Sequence, residues 1–266
     1  MAEGTATYVR VVFGLLAGAV ALSAQQAPPV PAGETASFEV ASVKPNKSGA
    51  SNAVPPSRAN GSYSVSNVAL KSIIANAYEV RIFQIAGDPA WLTSERFDII
   101  ARGREGTPDR LRPAMLRTLL AERFKLAAHF ETREQQVYAL VLARSDGRPG
   151  PQLKPSSPSA GGAKSGLVTT SVDNGVARIQ GSRVPLDNFA LVLSSSVFSR
   201  RVIDRTGLGG EFDLDLRFTP ESSTAVAPEF PSIFAAVQEQ LGLKLQSERA
   251  PVPVLVIDSV DRPSPD

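Results

Sequence analysis

Val11 to Leu22 (VVFGLLAGAVAL) is the first sustained apolar run of the chain, and Arg10 precedes it. It is too short to cross a bilayer as a helix, which takes about 20 apolar residues. Ala21 and Ser23 suit cleavage after Ser23, and a cut after Ala24 is nearly as good, so residues 1–24 read as a secretory signal peptide. Residues 25–37, opening QQAPPVP, read as a Pro-rich spacer. Thereafter the pattern becomes that of a folded body. Phe38 to Val43 (FEVASV) alternates apolar and polar positions as a half-buried strand does. Leu70, Ile73, Ile74, Ala77 and Tyr78 recur at helical spacing, with Asn67 as the expected N-cap. A second helix is expected with Thr107 as cap and Pro108 as first residue, its stripe running Leu111, Met115, Leu116, Leu119, Leu120 and Phe124. Val137 to Ala143 (VYALVLA) has the near-continuous apolarity of a central strand.

The same order of elements then returns. Leu186, Phe189, Ala190 and Leu193 form a helical stripe. Phe230, Ile233, Phe234, Val237 and Leu241 form another, with Ser232 as cap and Gly242 as stop. Val252 to Ile257 (VPVLVI) is again an apolar strand. SNVALKSII from Ser66 matches SRVPLDNFA from Ser182, RFDI from Arg96 matches EFDL from Glu211, and VYALVL matches VPVLVI. FKL ending at Leu126 likewise matches LKL ending at Leu245. Four matches in one order at nearly one spacing point to duplication. The expected fold class is α+β: two related halves, residues 38–144 and 176–266, each with two helices packed on a mainly antiparallel sheet. Residues 145–175, rich in Pro, Gly and Ser, are expected to be a flexible linker. The two halves are expected to share one core.

Composition narrows the chemistry. The chain has 266 residues, no cysteine and one histidine. No cysteine means no disulfide, thiolate nucleophile or iron–sulfur cluster. One histidine excludes zinc sites that need two imidazoles on one face. A net charge of +2 gives no ground for nucleic-acid binding. Export without disulfides means that apolar packing alone must hold the body together, which its size permits.

His129 lies in KLAAHFETRE, where period-two alternation puts His129, Glu131 and Arg133 on one strand face. Glu131 would then raise the imidazole pKa and Arg133 could hold an anion; a solvated face with an ordinary ion pair is the plainer alternative. Tyr78 and Trp91, with Phe83 nearby, could form a stacking platform for a sugar or peptide, or Trp91 could be a core plug between helix and strand. Glu211, Asp213 and Asp215 alternate with apolar residues, which favours a solvated strand face over a calcium site. DRTGLGGEF (Asp204 to Phe212) lacks phosphate-loop spacing and reads as a tight turn. There is no GxSxG elbow and no SxxK pair. No catalytic, cofactor-binding or metal-binding set is assigned from these residues.

FEVASVKPN from Phe38, NGSYSVSNVALKSIIANAY, GDPAWLTSERFDIIA, LLAERFKLAAHFETRE, VIDRTGL with GEFD, QEQLGLKL and the closing VLVIDSVDRPS together resemble an exported, soil-associated protein family abundant in acidobacteria and related soil bacteria. The resemblance runs from about Phe38 to the end. That family is uncharacterised, so the resemblance implies no reaction, cofactor or catalytic residue. Similar domains are appended to membrane-bound, sensor-type metallopeptidases, which implies extracytoplasmic sensing or interaction. SNVALKSIIANAYEVRIFQIAG is also loosely similar to the small modules that precede secretin and TonB-dependent channels.

The expected function is therefore an exported, periplasmic or extracellular, non-catalytic binding or interaction module. Its expected partner is a peptide, a glycan or an envelope protein, with no nucleic acid, no cofactor and no membrane span once the signal is removed. Two other expectations stand beside it. One is an extracellular hydrolase pairing Glu131 or Glu134 with Asp98 or Asp213. The other is an envelope-associated scaffold.

Overall fold

A computed structural model describes residues 37–50, 54–57, 61–144, 146–157, 166–221 and 230–263. The expected signal peptide and nearly all of the Pro-rich spacer lie outside these residues.

The chain is α+β, with three four-stranded sheets. The first contains β1 (Val40–Pro45), β2 (Val54–Ser57), β3 (Ser62–Ala69) and β5 (Arg96–Arg102), in the order β1-β5-β3-β2 and antiparallel throughout. β3 turns Tyr63 and Val65 inward and leaves Ser62, Ser64 and Ser66 half-exposed, so simple alternation makes it two-faced. Its inner face packs on α1 (Leu70–Tyr78), the short α2 (Trp91–Ser94) and α3 (Arg112–Phe124). Phe97, Phe124, Ile73 and Ile74 are fully buried there.

The outer second sheet has the same spatial order. It runs β7 (Leu153–Pro155), β11 (Phe212–Phe218), β9 (Val176–Val184), β8 (Val168–Asp173), again antiparallel. It packs on α4 (Leu186–Val192), which continues as a π-helical segment over Leu193–Phe198, and on α5 (Ile233–Leu241). Lys44-Pro45-Asn46 closes β1 much as Lys154-Pro155-Ser156 closes β7.

The third sheet joins the two sets. β6 (Ala127–Leu142) and β12 (Leu243–Ser259) pair antiparallel over their whole lengths. β4 (Ile85–Ala86), from the first set, pairs parallel with β12, while β10 (Val202–Asp204), from the second, pairs parallel with β6. Each set thus lends an edge strand to the other's long strand. The interior divides into two main apolar clusters instead of one. Each draws on the central pair: Leu255 and Ile257 of β12 enter the first, Leu140 and Leu243 the second.

Several local expectations need correction. Residues 145–175 are not all linker, since they hold β7 and β8. Leu153 is buried in the second cluster, and Gly150 N donates to Leu241 O at 2.7 Å at the end of α5. Pro, Gly and Ser here serve turns and short edge strands. Asn67 does not cap α1; it sits at φ +57° inside β3, and Ala69 takes the cap position with no side-chain bond. Thr107 likewise bonds Arg104 O, and α3 starts at Arg112 after a 3₁₀ turn over Asp109–Leu111. Ser232 and Gly242 do bound α5, Gly242 at φ +66°.

Candidate functional site

His129, Glu131 and Arg133 do share one face of β6. His129 Nε2 lies 3.0 Å from Glu131 Oε1, and Arg133 Nε donates to Glu131 Oε2 at 2.7 Å. The fourth member is Asp258, whose Oδ2 is 2.9 Å from His129 Nδ1. It comes from β12, at the irregularity between Ile257 and Ser259 in the β6–β12 register. An extra residue at such a bulge re-aims its side chain. The hydrogen bonds from Asp258 and Glu131 raise the imidazole pKa above its ordinary value. Arg133, then His129, hold the Glu131 carboxyl below its own. Every side chain in the row is more than two-fifths exposed, so the ion pairs are solvent-screened. Both ring nitrogens already face carboxylates, which leaves neither to activate a hydroxyl nucleophile.

Tyr78 and Trp91 are not brought to this row. Tyr78 ends α1 and meets the edge of Phe130 at 6.3 Å between ring centroids. Phe130 adjoins His129 in sequence and so leaves the opposite face of β6. Burial pushes the Tyr78 hydroxyl pKa up, against the pull of Arg117. Trp91 packs edge-on against Phe97 at 6.5 Å, with the Arg262 guanidinium 5.0 Å from its ring centre. It is half-buried against the first apolar cluster.

The aspartates offered as paired acids have a different task. Asp98 Oδ1 accepts from Ser66 Oγ at 2.6 Å, Asn46 Nδ2 at 2.8 Å and Asn67 N at 2.9 Å. Asp213 Oδ1 accepts from Ser156 Oγ at 2.7 Å and Arg183 N at 2.9 Å. Asn67 and Arg183 are both at positive φ (+57° and +54°), each beside a register shift in its strand. Each carboxylate therefore fastens a left-handed residue inside a sheet and ties it to the edge strand's end. Burial would raise the Asp98 pKa, but its hydrogen bonds prevail and lower it; Ser156 and the Arg183 amide lower that of Asp213. Asp98 belongs to the first sheet, Asp213 to the second, and Glu131 and Glu134 to the central one, and none of the four lines the cavities described below.

The acidic row of β11 is similarly engaged. Arg183 Nε donates to Glu211 at 2.8 Å, and Arg178 makes a two-pronged contact with Asp215 at 2.7 Å per bond. No group of three or more metal-ligating side chains occurs among the described residues. The Asp204–Phe212 stretch is a turn, with Gly207 at φ +70° and Gly210 at φ +94°, and it leads into β11.

A feature that sequence reasoning missed in detail lies between the two sets. A cavity of about 450 Å³ is lined by Tyr63, Asn76 and Arg112 from the first set, by Leu191 and Arg201 from the second, and by Arg81 after α1. Arg112 is held against Asp109, which also lines the cavity. Three arginines up to 120 positions apart thus line one cavity, together with the acidic residues Glu79 and Asp109.

Fold and cavity define an α+β protein with a polar cleft between two sets of elements. Residues 71–260 match the family described as a protein of unknown function, DUF3738, and the chain belongs to that family. No curated protein and no solved structure matches it. No helix among the described residues is long and apolar enough to cross a membrane.

Proposed function

We propose that this chain is an exported, non-catalytic binding module whose ligand enters the cleft between the two sets. The observation that carries the proposal is the convergence of Arg81, Arg112 and Arg201 on one cavity of about 450 Å³, a size suited to a small ligand or one residue of a chain. Guanidinium forks match carboxylate and phosphate groups, so the ligand is an acidic peptide, an acidic glycan or another carboxylate-bearing molecule. A polar wall from Asn76 and Gln84 would orient it.

Isothermal titration of the full chain with glutamyl peptides, oligogalacturonate and citrate tests this. Saturable binding to one of them, weakened at least tenfold by Arg201→Glu, is expected. Binding that survives both Arg81→Glu and Arg201→Glu, or none to any acid, would overturn it. Export has its own test: N-terminal sequencing of protein collected outside the cytoplasm should give a start at Ala24 or Gln25. A start at Met1 would remove the signal peptide.

A further inference from the structure

Among the described residues, β8 is the outer edge of the second sheet and pairs on one side only, with β9. Asn174 and Gly175 form its two-residue turn, both at positive φ (+48° and +78°), and Asp173 pairs with Val176. A turn of that kind closes on a hydrogen-bonded pair. By alternation, the N–H and C=O groups of Val168, Thr170 and Val172 then point away from β9, toward the open edge. β8 has no proline, no lysine and no bulge, and its first five residues, VTTSV, are uncharged. Leu167 and Val172 are 56% and 70% exposed. Proteins usually block such an edge.

A groove runs beneath this edge. A cavity of about 160 Å³ lies between Thr170–Val172 and Ser196–Val197. It shares Val172, Ala177, Val197 and Phe218 with a larger cavity of about 540 Å³. The larger one is walled by Tyr138, Phe198 and Phe234, whose ring centres lie 4.9 to 5.6 Å apart. The Arg200 guanidinium stands 5.2 Å from the Tyr138 ring centre. Glu221 is the other charged residue of that wall.

We propose that β8 is a strand-addition site: an extended peptide of a partner protein joins it as a fifth strand, seats a bulky aromatic or aliphatic side chain among Tyr138, Phe198 and Phe234, and places an acidic group on Arg200. Main-chain bonds supply affinity in such complexes, and pockets for alternate side chains supply specificity. A second copy of this chain fits less well. Its own β8 would bring only Val168, Thr170 and Val172 to the groove, side chains too small for the larger cavity.

The test is selection of a displayed library of random twelve-residue peptides against the full chain, followed by fluorescence anisotropy with the enriched peptides. Enrichment of an aromatic or large aliphatic residue next to Asp or Glu is expected. Thr170→Pro, which removes an outward N–H, should weaken binding at least tenfold, and by more than Thr170→Val, which keeps that N–H. Phe198→Ala should cost at least tenfold, and Glu221→Gln should tighten binding of acidic peptides. Circular dichroism checks that each variant is folded. On the unaltered protein, the amides of Val168, Thr170 and Val172 should gain protection from hydrogen exchange when peptide is added. No enrichment, no gain in protection, or indifference to Thr170→Pro would overturn the proposal. So would a dimer in sedimentation that Thr170→Pro abolishes, since a second copy would then own the edge. A gain in protection confined to these β8 amides, with none at the cleft residues Asn76 and Arg112, separates this site from the cleft.

Discussion

The outer edges of the first and second sheets occupy the same place in two sheets of one strand order, yet their chemistry is opposite. β2 reads Val-Pro-Pro-Ser, and two of its four residues have no N–H to offer. Its pairing with β3 is irregular, Val54 facing Ser66 and Ser57 facing Ser64. β8 reads Val-Thr-Thr-Ser-Val-Asp and pairs in unbroken register with β9 over six residues. Proline on an edge is one way a sheet refuses another strand. The first sheet carries that refusal and the second does not. Two frameworks of like topology can thus divide their roles through a few backbone donors.

The sharpest way to break the comparison is through Gly150. A Cβ there would stand 2.5 Å from Gln240 O and from Gly242 N, both backbone atoms. Gly150→Ala should cost about 3 kcal/mol, the upper end of the usual range for forced overpacking, read by urea unfolding at neutral pH. A midpoint equal to the parent's would mean that residues 146–152 do not pack on α5. Next come the two anchoring aspartates. Asp98 holds three donors and Asp213 two. After allowance for solvent, Asp98→Ala should lose about 2 kcal/mol and Asp213→Ala about 1 kcal/mol. Equal losses would break the ranking.

The same carboxylates contribute to the acid limb of stability. Their folded pKa values are lowered, so their contribution is full above the unfolded value of about 3.9 and disappears as pH falls through the folded one. Asp98→Asn and Asp213→Asn should each flatten the decline of unfolding free energy below about pH 4.

The smallest effect belongs to His129. Its pKa is raised, so whatever it contributes is present below the unfolded value of about 6.5 and is lost as pH rises through the folded value. It is the chain's single histidine, which makes its imidazole titration by NMR unambiguous. Asp258→Asn should move that titration to lower pH. An unmoved midpoint would remove Asp258 from the row.

Much of the fold was legible in local spacing. The stripes Leu70–Tyr78 and Leu186–Leu193 lie on helices, as does the stripe from Phe230 to Leu241 except Phe230, which precedes α5, and VYALVL and VPVLVI lie in the two long strands. SNVALKSII and SRVPLDNFA span the passage from β3 into α1 and from β9 into α4. RFDI and EFDL place their aspartates at like positions in β5 and β11, facing Lys44 and Lys154 across the pair. Helix starts were less legible: Asn67 and Thr107 have the chemistry of caps, but Asn67 is drawn into a strand by Asp98 and Thr107 into a turn with Arg104. The candidate site was half legible. Alternation gave His129, Glu131 and Arg133; Asp258 needed the register of a strand more than 100 residues away. Nothing local marked Arg81, Arg112 and Arg201 as neighbours, because none of them lies within four residues of another.

By itself, then, the sequence determined where the longer helices and the two long strands lie, which face of the helices is apolar, and that no disulfide can hold the body together. Those properties depend on neighbours two to four residues apart. Tertiary structure alone decided that β4 and β10 pair with the other set's long strands, that a bulge aims Asp258 at His129, and that three arginines share a cleft. Such pairings follow from which buried faces meet across a hundred residues of chain, and no local spacing encodes that.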